Sequence, residues 1–229
     1  MEHQKIIFYG FKMKNLIRLS VAVTLLGLIL PIALDAQEQN RSTLKKFVTI
    51  DPLFNANIWS AVHVLADQGI PIGFEGSEHW NVDMGPRLWL KSGQLVDVLN
   101  SISEQDPSYA WKEADGVINI FPTIWRDAKI ASFLQTRIGP LTVAKGDDRA
   151  STVERIGKLF NGGIEKEIQF VSMIGAGNDL GLADKYDEQL DIPACDTRTA
   201  LNKLTKPQKY RPVWTVIRSE KDNVIIVVF

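Results

Sequence analysis

Four stretches of the chain place apolar residues every third or fourth position, the spacing that gives a helix one apolar stripe. The first covers about Asn57–Gln68, with Ile58, Val62, Leu65 and Ala66 on that stripe and Gly69 positioned to end it. The second covers about Gly93–Glu104, with Leu95, Val98, Leu99 and Ile102 in phase. The third starts at Ser151, where Ser-Thr-Val-Glu forms a capping box ahead of Val153, Ile156, Leu159 and Phe160, and Gly162-Gly163 closes it. The fourth follows Asp196 as N-cap, turns Ala200, Leu201 and Leu204 inward, and stops before Pro207.

Short apolar and β-branched runs between the helices predict strands. In the first half these are Phe47–Ile50, Ile72–Phe74, Arg87–Leu90, Ala110–Lys112 and Val117–Phe121. In the second half they are Pro140–Val143, Glu167–Val171, Gln189–Ile192, Val213–Arg218 and Val224–Val228. Asp115-Gly116 and Asp222-Asn223 are turn formers that pair the last two strands of each half as hairpins.

The two halves match in order: strand, helix, strand, strand, helix, hairpin. Gln94–Ile102 aligns with Asp196–Leu204, and both segments contain Leu-Asn, at Leu99-Asn100 and Leu201-Asn202. A Trp follows in each half, Trp111 and Trp214, and each hairpin closes on an apolar run, Val117–Ile120 and Val224–Val227. The pattern predicts an α+β fold of two tandem βαββαβ-type modules, each a small mixed sheet with two helices. Their expected bounds are 44–123 and 130–229, joined by Thr123–Lys129.

The first half resembles the short N-terminal domain shared by secretins and TonB-dependent transducers. That family carries a helix of the type L-x-x-A-L-x-x-L-A-x-Q-x-G, which Ile58–Gly69 resembles with one residue fewer between Gln68 and Gly69. Leu88–Asn100 resembles its following strand and second helix, and Tyr109–Ile120 its aromatic strand and closing G-x-I-x-I. The likeness covers Phe47–Phe121 well and Pro140–Phe229 more loosely. It implies a periplasmic module that binds other proteins and has no catalytic residues or cofactor. No secretin ring or outer-membrane barrel sequence follows, so a free-standing component is expected.

The N-terminus points to the same compartment. Lys12, Lys14 and Arg18 precede the apolar run Leu19–Leu34, which Ala33-Leu34-Asp35-Ala36 and then Gln37-Glu38-Gln39-Asn40 follow. This is the order of a signal peptide, residues 1–36, cut between Ala36 and Gln37. Pro31 and the shortness of the run argue against a spanning helix. The membrane is a partner only if this segment stays uncleaved. Met13 opens a signal peptide of more ordinary length than Met1 does.

Composition narrows the function. With 45% hydrophobic residues, six Trp and ten Phe, the chain can bury a core. Its net charge of −1, from intermixed charges, lacks the basic stripe that nucleic acid requires. Cys195 is the only cysteine, which excludes a disulfide framework and thiolate metal clusters, and it reads as a structural thiol.

Catalytic motifs are missing in the sequence. Gly175-Ala-Gly177 follows a strand like a dinucleotide fingerprint, but Leu180 stands where the third Gly belongs. His79 with Glu78 and Asp83 has no metal-ligand spacing, and His63 sits between Val62 and Val64 on the first helix. Asp147-Asp148 reads as a solvated loop. No nucleophile–base motif of a hydrolase appears. The expected function is therefore a protein-binding or assembly module in the cell envelope, not an enzyme, with no cofactor or metal. Trp80 and Trp125, in loop-like settings, and the terminal strand through Val224, Ile226 and Val228 are the candidate partner contacts. The alternative is binding of a small envelope ligand such as peptidoglycan or another glycan through Trp80 and Trp125.

Overall fold

The computed structural model describes residues 43–76, 85–148, 152, 155–156, 168–171, 185–206, 212–219 and 224–228. Local signals set the helices. Helix α1 (Ile58–Asp67) starts where Asn57 Oδ1 accepts from the Ser60 N–H at 3.1 Å. It ends at Gly69, whose φ of 72° only glycine adopts without strain. Helix α2 (Leu95–Gln105) buries Leu95, Val98, Leu99 and Ile102, the predicted stripe. Helix α3 (Ala128–Gln135) is capped by Asp127, which accepts from the backbone of Lys129 and Ile130. Helix α4 (Thr197–Thr205) is capped by Asp196 through the Thr199 N–H. Thr152, Arg155 and Ile156 are also helical, and the rest of the helix expected from Ser151 lies outside the described residues.

Most strands fall close to their predicted places, and the two-residue strands at 93–94, 137–138 and 195–196 are additions to the expected set. The strands are β1 (Phe47–Val48), β2 (Ile72–Glu75), β3 (Gly93–Gln94), β4 (Tyr109–Ala114) and β5 (Val117–Pro122) in the first half. The second half has β6 (Arg137–Ile138), β7 (Leu141–Val143), β8 (Ile168–Val171), β9 (Leu190–Ile192), β10 (Cys195–Asp196), β11 (Val213–Ser219) and β12 (Val224–Val228). The run expected at Arg87–Leu90 reduces to one bridge between Leu88 and Ala56. Asp115 (φ 57°) and Gly116 (φ 76°) turn the first hairpin with two left-handed residues, the geometry that matches strand twist.

Both halves pair their strands alike. The first joins β4 and β5 antiparallel and β5 and β2 parallel. The second joins β11 and β12 antiparallel and β12 and β8 parallel. Two-residue antiparallel pairs precede α2 and α4, β1 with β3 and β10 with β6.

The halves do not form two separate small sheets, as expected from sequence. Strand β2 pairs in parallel with β11, giving one six-stranded sheet in the order β4-β5-β2-β11-β12-β8. Residues 46–229 are one compact unit. Since β11 runs opposite to β4, the order β11-β12-β8 follows β4-β5-β2 with every strand reversed.

Reversal also exchanges the faces. Trp111, Ile120, Phe74 and Thr215 lie in one lateral row, and Lys112, Asn119, Gly73 and Trp214 in the next, which points to the other side. The first face carries α1 and α2: Trp59 packs edge-on against Phe74, and Asn100 bonds the Trp111 indole. The second face carries α3 and α4 over Trp214, Val216, Ile225 and Val227. The molecule is thus a sheet between two helical layers.

Candidate interaction surface

Hydrogen-bonding groups sort into those that hold the two halves together and those left facing outward. Glu75, at the end of β2, is 1% exposed and accepts from Arg126 Nε and Nη2, with distances of 2.8–3.1 Å. Arg198 of α4 bonds the same carboxylate. A buried carboxylate needs such partners, because water no longer solvates it. Next to Arg126, the buried Asp127 caps α3 and accepts from Arg218 Nη1 of β11 at 3.0 Å. Burial works against the Asp127 charge, but the Ile130 and Lys129 N–H groups and Arg218 outweigh it and hold the carboxyl below its ordinary value. These five residues come from four places, β2, the Thr123–Lys129 segment, α4 and β11. The segment expected to be a linker is therefore anchored at Arg126 and Asp127.

This anchoring presents Trp125. Its φ of 58° lies in the left-handed region, which costs a non-glycine residue about 1–2 kcal/mol. The side chain is nonetheless 61% exposed, beside Ile124 at 52%. Arg126, immediately after it, is fixed by Glu75 and lies over the Phe121 ring at 5.9 Å. A strained backbone holding a large apolar side chain in water is a feature the fold alone does not require.

Other sequence-nominated residues fall elsewhere. Trp80, His79, Glu78, Asp83, Ala36, Gln37 and the Gly175–Gly181 loop lie outside the described residues. Strand β12 is not a free edge: Val224–Val228 is paired on one side with β11 and on the other with β8, so it has no backbone groups to offer a partner strand. Ile226 and Val228 share the face opposite α4, where Val228 is buried and Ile226 half-buried. The expected docking by strand addition there is corrected by the order of the sheet.

The remaining chemistry reads as structural. His63 packs edge-on against Trp59 at 4.4 Å. Cys195 is half-buried, and burial together with Asp196 pushes its thiol above the ordinary value, away from nucleophilic character. Asp147 accepts from the Ala144 N–H and from Arg155, as in a turn. Among the described residues no group of three His, Cys, Asp or Glu is placed to hold a metal, and no helix is long and apolar enough to cross a membrane.

Sequence reasoning missed two features. Glu75, Arg198 and Arg218 were legible only as an acid ending an apolar strand and two scattered bases. Trp89 is 61% exposed although its backbone is bonded at both N–H and C=O by the Gln105 amide. The chain matches no family model, no curated protein and no solved structure.

Proposed function

We propose that the protein is a binding module of the bacterial cell envelope, exported behind residues 1–36, that docks another protein and carries out no chemistry. The observation behind this reading is Trp125, exposed on a left-handed residue next to the Arg126–Glu75 ion pair. Exposed, pre-positioned Trp residues anchor protein interfaces because they bury a large area at little cost in side-chain entropy. The reading agrees with the resemblance of the first half to secretin and TonB-transducer N-terminal domains.

The test compares the full-length protein with a W125G variant, which keeps the backbone geometry and removes the anchor. Cross-linking in intact cells should recover an envelope protein with the former and about tenfold less of it with the latter, matching the loss of about 1.4 kcal/mol or more at an interface anchor. Equal recovery by both proteins, or recovery of no protein by either, would contradict the proposal.

A further inference from the structure

We propose that the outer edge of β4 receives an extended segment of a partner protein, running parallel to it, with a glycine opposite Trp111 and a basic residue opposite Glu113. The proposal rests on the protein-binding reading above and gives it a recognition rule.

The chain contains its own template for this edge. Trp111 and Trp214 are equivalent in the two halves: each lies on the first strand of a hairpin, and each donates its indole N–H to an Asn of the preceding helix. These bonds are Trp111 to Asn100 at 3.2 Å and Trp214 to Asn202 at 2.8 Å. On β11 the edge beside Trp214 is occupied. Ile72-Gly-Phe-Glu75 runs parallel to it, with Gly73 in register with Trp214 and Glu75 with Val216. The Ile72 and Gly76 N–H groups donate to the Pro212 and Val216 carbonyls, each at 2.8 Å.

On β4 the equivalent edge has no neighbour among the described strands. Thr123 donates to the Ser108 carbonyl, so Ser108 faces β5, and the alternation of antiparallel pairing points the backbone groups of Trp111 and Glu113 away from it. These are the groups a parallel visitor would use, as β2 uses Trp214 and Val216.

The template also dictates the visitor's side chains. A Cβ added at Gly73 would lie 2.3 Å from the Trp214 ring, so only glycine lets a strand pass beside the indole. Trp214, with that strand beside it and helices α3 and α4 above, is fully buried, whereas Trp111 is half-buried. The Glu113 carboxylate shares a face with Trp111 and has Oε1 buried with no hydrogen-bond partner. A cation two residues after the visiting glycine would satisfy it. A second copy of the chain does not fit, since β8, the strand equivalent to β2, reads Ile168-Gln-Phe-Val171 and has no glycine.

The probe is the capped hexapeptide Pro-Ile-Gly-Phe-Lys-Gly, which is residues 71–76 with E75K, titrated into the full-length protein and followed by amide NMR. Shifts should concentrate on the Trp111 and Glu113 amides and the Trp111 indole N–H. The same peptide with G73A should bind about tenfold more weakly or worse, since the added methyl meets the ring. An E113P variant removes an outward N–H at an edge that tolerates proline and should abolish the shifts. Absence of shifts at these groups up to about millimolar peptide, the range of weak recognition, would overturn the proposal, as would equal binding of the alanine peptide. Concentration-dependent shifts of the same amides without peptide would assign the edge to a second copy and overturn it as well. Trp125-dependent capture that persists while the peptide fails at β4 would remove only this rule. Peptide binding without any captured envelope protein would remove only the broader reading.

Discussion

The Trp214 indole occupies the space above Gly73 that any other residue's Cβ would need. Gly73 belongs to the first half and Trp214 to the second, so this contact lies at the junction between them. G73A should destabilise the protein by about 1–3 kcal/mol, the range for overpacking a filled core. A double-mutant cycle with W214L should show strong non-additivity, read as urea midpoints at constant slope. Additive effects would mean that the two residues do not meet.

The paired Asn–Trp bonds should differ in energy because their burial differs. Asn202 is 1% exposed and bonds a fully buried indole, so N202A should cost about 1–3 kcal/mol. N100A removes the longer bond to the half-buried Trp111 and should cost about 1 kcal/mol or less. Equal losses in chemical denaturation would contradict the asymmetry.

Glu75 holds two arginines to a sheet end. E75A leaves the mostly buried Arg198 without its carboxylate, frees the exposed Arg126, and should cost about 3 kcal/mol. Thermal denaturation of E75A and E75Q checks this. E75Q should fall between E75A and the unaltered protein, because an amide still accepts hydrogen bonds but brings no charge.

Acid should weaken the molecule through Asp127. Its folded-state pKa is lowered, so the unfolded chain binds the proton first, and the stability it provides is complete above the ordinary Asp value of about 3.9. That stability is lost as pH falls from there through the folded-state value. Glu113 acts in the opposite sense: burial raises its pKa despite Lys206, so stability rises as pH falls through the raised value towards about 4.3. Urea midpoints between pH 3 and 7 should show a shallower acid-side loss in D127N and a steeper one in E113Q, if about one proton is linked at each site.

Much of the local structure was legible in the sequence, because its signals are local. Asn57, Asp196 and Gly69 mark helix ends, and the stripe Leu95, Val98, Leu99 and Ile102 marks a buried face. Helix α3 was overlooked although Asp127 and the spacing of Ile130, Phe133 and Leu134 announce it. Reading Thr123–Lys129 as a linker hides the Asp127 cap. The joined sheet was not legible, since nothing near Gly73 indicates that Trp214 will cover it. The same is true of β12. A C-terminal apolar strand reads as a free edge until β8 is seen to pair with it.

Amide hydrogen exchange tests the continuity of the sheet most directly. The Ile72 and Gly76 N–H groups, which donate across the junction to Pro212 and Val216, should exchange only through global opening. The Trp111 and Glu113 amides, at the edge with no neighbour among the described strands, should exchange orders of magnitude faster. Fast exchange at Ile72 and Gly76, with Trp111 and Glu113 protected, would show two sheets joined differently and contradict the account.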